Sequence, residues 1–103
     1  MKNSEIDKIV LSRVNSKIEE LKPLSVEQLL ELPPYTRVDF DAGGKKQELF
    51  VYHETLENSE ALIVAQCKNT QFLGIGNIYA QGFLLKSSGE IAEAPEELMW
   101  DFT

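Results

Sequence analysis

The chain of 103 residues has one histidine, His53, and one cysteine, Cys67. An ordinary zinc site takes three or four ligands, mostly from these two residue types, so a metal centre of that kind finds too few donors. A lone cysteine cannot close an intrachain disulfide, and the fold must be held by packing. No stretch approaches the ~18 consecutive apolar residues that a membrane-spanning helix needs. Met1-Lys2-Asn3-Ser4-Glu5 lacks the apolar character of a signal peptide, and Ile9-Val10-Leu11 is too short to serve. The expectation is a cytoplasmic protein that does not enter a membrane.

Cations are also scarce. Ten Lys and Arg stand against seventeen Asp and Glu, for a formal charge of −7 and a pI near 4.6. Nucleic-acid binding relies on cations that release the phosphate's counterions, and an anionic membrane surface attracts the same sign, so neither is an expected partner. No Gly-x-Ser-x-Gly elbow, paired-cysteine motif or basic stripe with interleaved aromatics occurs. Gly74-Ile75-Gly76 lacks the third glycine and the Gly-Lys-Ser/Thr ending of phosphate loops, and reads as a bulge in a strand.

What is present suits a single globular domain over residues 1–103, with 43% apolar and 26% charged residues. Ile6, Val10, Val14 and Ile18 recur every fourth residue, with Ile9 and Leu21 beside them, which predicts a helix over about 4–22 with one apolar stripe. Ser4 and Asp7 form a weakened capping box at its start. Pro23 ends the helix. Ser25-Val26-Glu27-Gln28 is a stronger capping box and opens a short helix over 25–32, which Pro33-Pro34 stops.

From Tyr35 the period becomes two. Thr36, Val38 and Phe40 alternate with Tyr35, Arg37, Asp39 and Asp41, and Gly43-Gly44 supplies a tight turn. That turn sets Asp41 against Lys46, Phe40 against Gln47 and Val38 against Leu49, a register the Asp41–Lys46 charges favour. Further strands are expected over about 47–56, 61–68 and 72–86. Pro95 then opens a short C-terminal helical turn to Trp100. The inferred fold is α+β: the long and short helices packed on a four-stranded antiparallel meander, with the C-terminal turn closing it.

A two-residue turn at Asn58-Ser59 would add Leu62 and Val64 to the dry face of the sheet. It leaves Phe50, Tyr52, Leu56, Ile63 and Ala65 as an apolar zone on the other face. The same turn pairs Cys67 with Phe50 and His53 with Val64, which separates the candidate nucleophile from its candidate base. A loop one residue longer reverses that arrangement, because a slip of one flips every side chain. No catalytic residue is therefore assigned, and no cofactor or metal. Asp39 faces Glu48 and shares the wetter face with Asp41 and Glu54. This row is read as a solvated surface neutralised by Arg37 and Lys46.

The tail is the most unusual segment. Glu90, Glu93, Glu96, Glu97 and Asp101 follow Lys86 with no further Lys or Arg, and Leu98, Met99, Trp100 and Phe102 lie among them. One reading has Trp100 and Phe102 plugging an end of the core. The other is an acidic, aromatic docking edge for a basic protein. The leading functional expectation is a noncatalytic protein-binding module, adaptor-like or immunity-like by size and charge, acting through its sheet face and this edge. Tyr52, Glu96, Glu97, Trp100, Asp101 and Phe102 are its candidate binding residues. One alternative is a small-molecule binder or minor enzyme with a pocket between helix and sheet, lined by Tyr52, His53, Tyr79 and Phe83. A second is a structural subunit of a homo-oligomer, with a homodimer made by pairing two sheets as its concrete form.

Overall fold

The structure is a computed structural model and describes residues 3–70 and 76–103. Helix α1 (Asn3–Leu21) and helix α2 (Val26–Leu30) precede five strands: β1 (Tyr35–Ala42), β2 (Lys45–Thr55), β3 (Ala61–Thr70), β4 (Gly76–Leu85) and β5 (Ile91–Glu93). Helix α3 (Glu96–Met99) runs directly into a 3₁₀ turn over Trp100–Phe102. The strands form one antiparallel sheet in the order β1-β2-β3-β4-β5. The α+β class expected from the sequence is present, with five strands rather than four. β5 has only three residues, too few for an alternation to be read.

The apolar stripe of α1 does what its spacing requires. Ile6, Val10, Val14, Ile18 and Leu21 are all buried in a core shared with Leu29 of α2. α1 lies chiefly over β3 and β4. Ser4 falls inside α1 instead of capping it, and Asp7 turns its carboxylate to the sheet. Ser25 does cap α2: its Oγ accepts from the Gln28 amide at 3.1 Å, while Gln28 Oε1 accepts from the Ser25 amide at 3.0 Å.

The β1–β2 register is the one the glycine pair predicts, with Asp41 facing Lys46, Asp39 facing Glu48 and Val38 facing Leu49. Gly43 and Gly44 take φ of 61° and 83°, as a tight turn with two left-handed residues demands. The β2–β3 hairpin differs. Leu56 donates to the Glu60 carbonyl at 2.7 Å, so the loop is Glu57-Asn58-Ser59, one residue longer than expected. Asn58 and Ser59 adopt φ of 62° and 64°. His53 now faces Ile63, and Cys67 faces Leu49.

That slip exchanges the faces of β3. Ala61, Ile63, Ala65 and Cys67 point under α1 into the core, and Leu62 and Val64 point to the outer face. Ile63 and Ala65 therefore leave the expected outer apolar zone, and Leu62 and Val64 leave the expected dry face. The strand tolerates either assignment chemically, because Ala61-Leu62-Ile63-Val64-Ala65 is apolar throughout and is buried on both sides.

β3 and β4 pair without interruption from Ala61–Leu85 to Thr70–Gly76. Gly82 accordingly makes no bulge but permits close approach: a Cβ there would lie 2.8 Å from the Ile63 carbonyl oxygen and 3.0 Å from Met99 Sδ. The bulge expected at Gly74-Ile75 lies outside the described residues.

A polar cluster is built into the helix-side face. Asn69 is fully buried. Its Oδ1 accepts from Lys45 Nζ at 2.9 Å and Gln47 Nε2 at 3.2 Å, and its Nδ2 donates to Asp7 Oδ1 at 2.7 Å. Asn77 Nδ2 donates to the other oxygen of Asp7 at 3.0 Å. The network joins α1, β2, β3 and β4 at one corner of the molecule.

Candidate functional site

The corrected register places His53 and Cys67 on the same face, contrary to the shorter-loop reading. They still do not form a pair. His53 faces Ile63, and Cys67 lies four positions further along β3, roughly 13 Å at the rise of a strand. Cys67 is completely buried, and burial, with a smaller contribution from the Glu48 charge, pushes its thiol up to about 11. A thiol so held is protonated and a poor nucleophile at neutral pH.

His53 has a structural partner. Its backbone N–H donates to the Pro34 carbonyl at 2.9 Å, and its Nδ1–H donates to the Leu32 carbonyl at 2.7 Å. These bonds fasten the Pro33-Pro34 link to β2. A carbonyl can only accept, so Nδ1 is the donor in this bond. Nε2 is buried with no hydrogen-bond partner among the described residues.

The four residues of the small-molecule alternative are not brought together. Tyr52 faces Val64 on the outer side of the sheet, whereas His53, Tyr79 and Phe83 share the helix side. Phe83 is buried in the closed core, and Tyr79 packs against that core. Among the described residues, no three His, Cys, Asp or Glu side chains are grouped to hold a metal ion. No described helix is long and apolar enough to cross a membrane.

Asp39 and Glu48 do face each other across the outer side of β1 and β2. Arg37 bridges them, with Nε 3.4 Å from Asp39 Oδ1 and a terminal guanidinium nitrogen 3.8 Å from Glu48 Oε1. All three side chains are well exposed, so water screens the pairs and each contributes little to stability. Of the two cations expected to neutralise this row, Arg37 makes the ion pairs with Asp39 and Glu48, and Lys46 stands opposite Asp41.

Beside this row, the outer face carries a continuous series of rings. Tyr35 lies 6.3 Å from both Phe50 and Tyr52, centroid to centroid. Phe50 and Tyr52 are 6.1 Å apart, and Phe102 closes to 5.2 Å from Tyr52. These spacings fall in the range of favourable aromatic pairing. Strand alternation puts Tyr35, Phe50 and Tyr52 on one side. The C-terminal turn brings Phe102 to them, held by Gln66 Nε2 donating to the Phe102 carbonyl.

The tail thus covers the outer face of the sheet, not an end of the core. Met99 sits on Gly82, and Leu62 and Val64 beside it are fully buried. Phe102 is half-buried, and Trp100 remains 66% exposed. Glu96, Glu97 and Asp101 are exposed around them. Tyr35, at the opposite end of the ring series, is 61% exposed. The sequence alone does not single it out, although the Gly43-Gly44 turn sets it opposite Tyr52.

Set against known proteins, the chain matches no family model, no curated protein and no solved structure.

Proposed function

We propose that this protein is a noncatalytic protein-binding module whose docking surface is the outer face of its sheet. The observation that carries this reading is the row Tyr35–Phe50–Tyr52–Phe102, with Tyr35 and nearby Trp100 left open to solvent in a small acidic chain. Exposed rings of this size supply large contact areas at little conformational cost, and Tyr and Trp dominate the energetics of protein interfaces. Glu96, Glu97 and Asp101 of the C-terminal turn, in a segment without Lys or Arg, give the surface an acidic border on that side. Such a border favours a basic partner and speeds its encounter.

The test is capture of a partner by the immobilised protein, compared with two variants of it. Replacing Tyr35 and Trp100 together by Ala should abolish capture while leaving the chain folded, with a combined loss of stability of no more than about 1 kcal/mol. Reversing Glu96, Glu97 and Asp101 to Lys should weaken capture, as should raised salt acting on the wild type. A partner retained equally by the Tyr35/Trp100 double variant would refute the assignment of this face.

A further inference from the structure

The outer edge of β1 is unpaired among the described residues, since β1 ends the sheet order. Which backbone groups it presents follows from the hairpin. His53 donates to the Pro34 carbonyl, and Ala42 and Lys45 flank a two-residue turn. The even-numbered residues of β1 therefore direct their N–H and C=O groups inward to β2. Tyr35, Arg37, Asp39 and Asp41 direct theirs outward. An incoming antiparallel strand must pair its own outward residues with these, and a second copy of β1 has the same four.

Only certain registers satisfy that rule when the strand pairs with itself about a two-fold axis. Centring on Arg37 sets Arg37 against its own copy. Centring on Asp39 sets two aspartates against each other. Like charges directly opposite are destabilising. Centring on Val38 sets Arg37 against Asp39 of the second copy, twice over, and Tyr35 against Asp41, with no like-charge pair. Four facing pairs would each exchange two hydrogen bonds across that junction. Val38, 40% exposed in the single chain, would meet its copy at the non-hydrogen-bonded position on the two-fold axis, where side chains approach most closely.

We infer that β1 pairs with β1 of a second copy of this chain, in the register centred on Val38, to make a two-fold dimer with one continuous sheet. The charge pattern along the strand selects this occupant, because Arg37 and Asp39 are self-complementary only in that register. The axis stands perpendicular to the sheet. Both copies of α1 therefore lie on one side, and both aromatic rows lie on the other, with the two Tyr35 side chains roughly 20 Å apart along the strands. The inference does not rest on the docking reading, and either can fail without the other.

Sedimentation velocity of the full chain gives the first readout, with a dimer expected at micromolar concentration. Arg37→Asp should raise the dimer dissociation constant at least tenfold, and Asp39→Arg should do the same. The combined exchange R37D/D39R should restore the dimer, since each new charge meets its opposite across the axis. Val38→Cys should form an intermolecular disulfide under glutathione disulfide, while Phe40→Cys should not, because only residue 38 meets itself. A wild-type chain that stays monomeric into the high micromolar range overturns the inference. So does a dimer that the single charge reversals leave intact, or one that cross-links through position 40 in preference to 38.

Discussion

Met99 rests against the bare backbone of Gly82, so close that a methyl group at position 82 would come within 3.0 Å of its sulfur. The same methyl would meet the Ile63 carbonyl oxygen at 2.8 Å, and a backbone atom inside a paired strand cannot retreat as a flexible side chain can. Gly82→Ala is expected to destabilise the fold by about 1–3 kcal/mol, the usual effect of overpacking. It should also lift the C-terminal turn from the sheet. Urea unfolding measures the first effect, and a shift in Trp100 fluorescence in the folded variant reports the second.

The aromatic face divides into residues that hold the fold and residues that do not. Tyr35→Ala and Trp100→Ala remove exposed rings and should each change stability by no more than about 0.5 kcal/mol. Phe102→Ala removes the ring packed on Tyr52 and should cost about 1 kcal/mol. Thermal unfolding of the three variants side by side checks the division.

Cys67 ties stability to alkaline pH. Its thiol is raised by burial from 9.0 to about 11, so between those values the folded chain keeps a proton that the unfolded chain has lost. The stabilisation is complete below pH 9 and is lost as pH rises through 11, by an amount on the order of 2–3 kcal/mol. Comparing the chain with Cys67→Ala from pH 8 to 11 isolates this effect. The wild type should lose stability faster. The thiol should also resist alkylation at pH 8 until the protein is unfolded.

The network around Asn69 is a point of high sensitivity. Asn69→Ala leaves the buried Gln47 amide without its Asn69 acceptor, and should destabilise by about 1–3 kcal/mol. Asp7→Ala removes an acceptor nearer the surface, and about 1 kcal/mol is expected. Chemical denaturation of both variants tests the order.

Much of this architecture was written in local patterns. The four-residue recurrence from Ile6 to Ile18 placed α1, and Gly43-Gly44 with Asp41 and Lys46 placed the first hairpin in its true register. The second hairpin is one residue longer than its sequence suggests, because the signal there is weak. Asn58 tolerates a left-handed backbone, but nothing in a serine announces that Ser59 will adopt one as well. The strand that follows offers no correction, because a run of five apolar residues lacks the alternation that would reveal its faces. The candidate site was legible in part. Tyr52 and the acidic, aromatic tail were evident, whereas Tyr35 joined them only once strand and tail were seen on the same side. The seating of Met99 on Gly82 depends on a contact between distant parts of the chain, which no local pattern contains.

The buried amide of Asn69 gives the sheet a means of rejecting its nearest competitor. Shifting β3 by one place would still hide greasy side chains on both sides, so oil-and-water sorting alone discriminates poorly between the two alignments. The shifted sheet would, however, turn Asn69 away from Asp7, Lys45 and Gln47 and drive the ammonium of Lys68 beneath α1. A mispaired chain thus loses this buried network at the corner and the Gln66 bond to the Phe102 carbonyl, and both losses count against the shifted alignment.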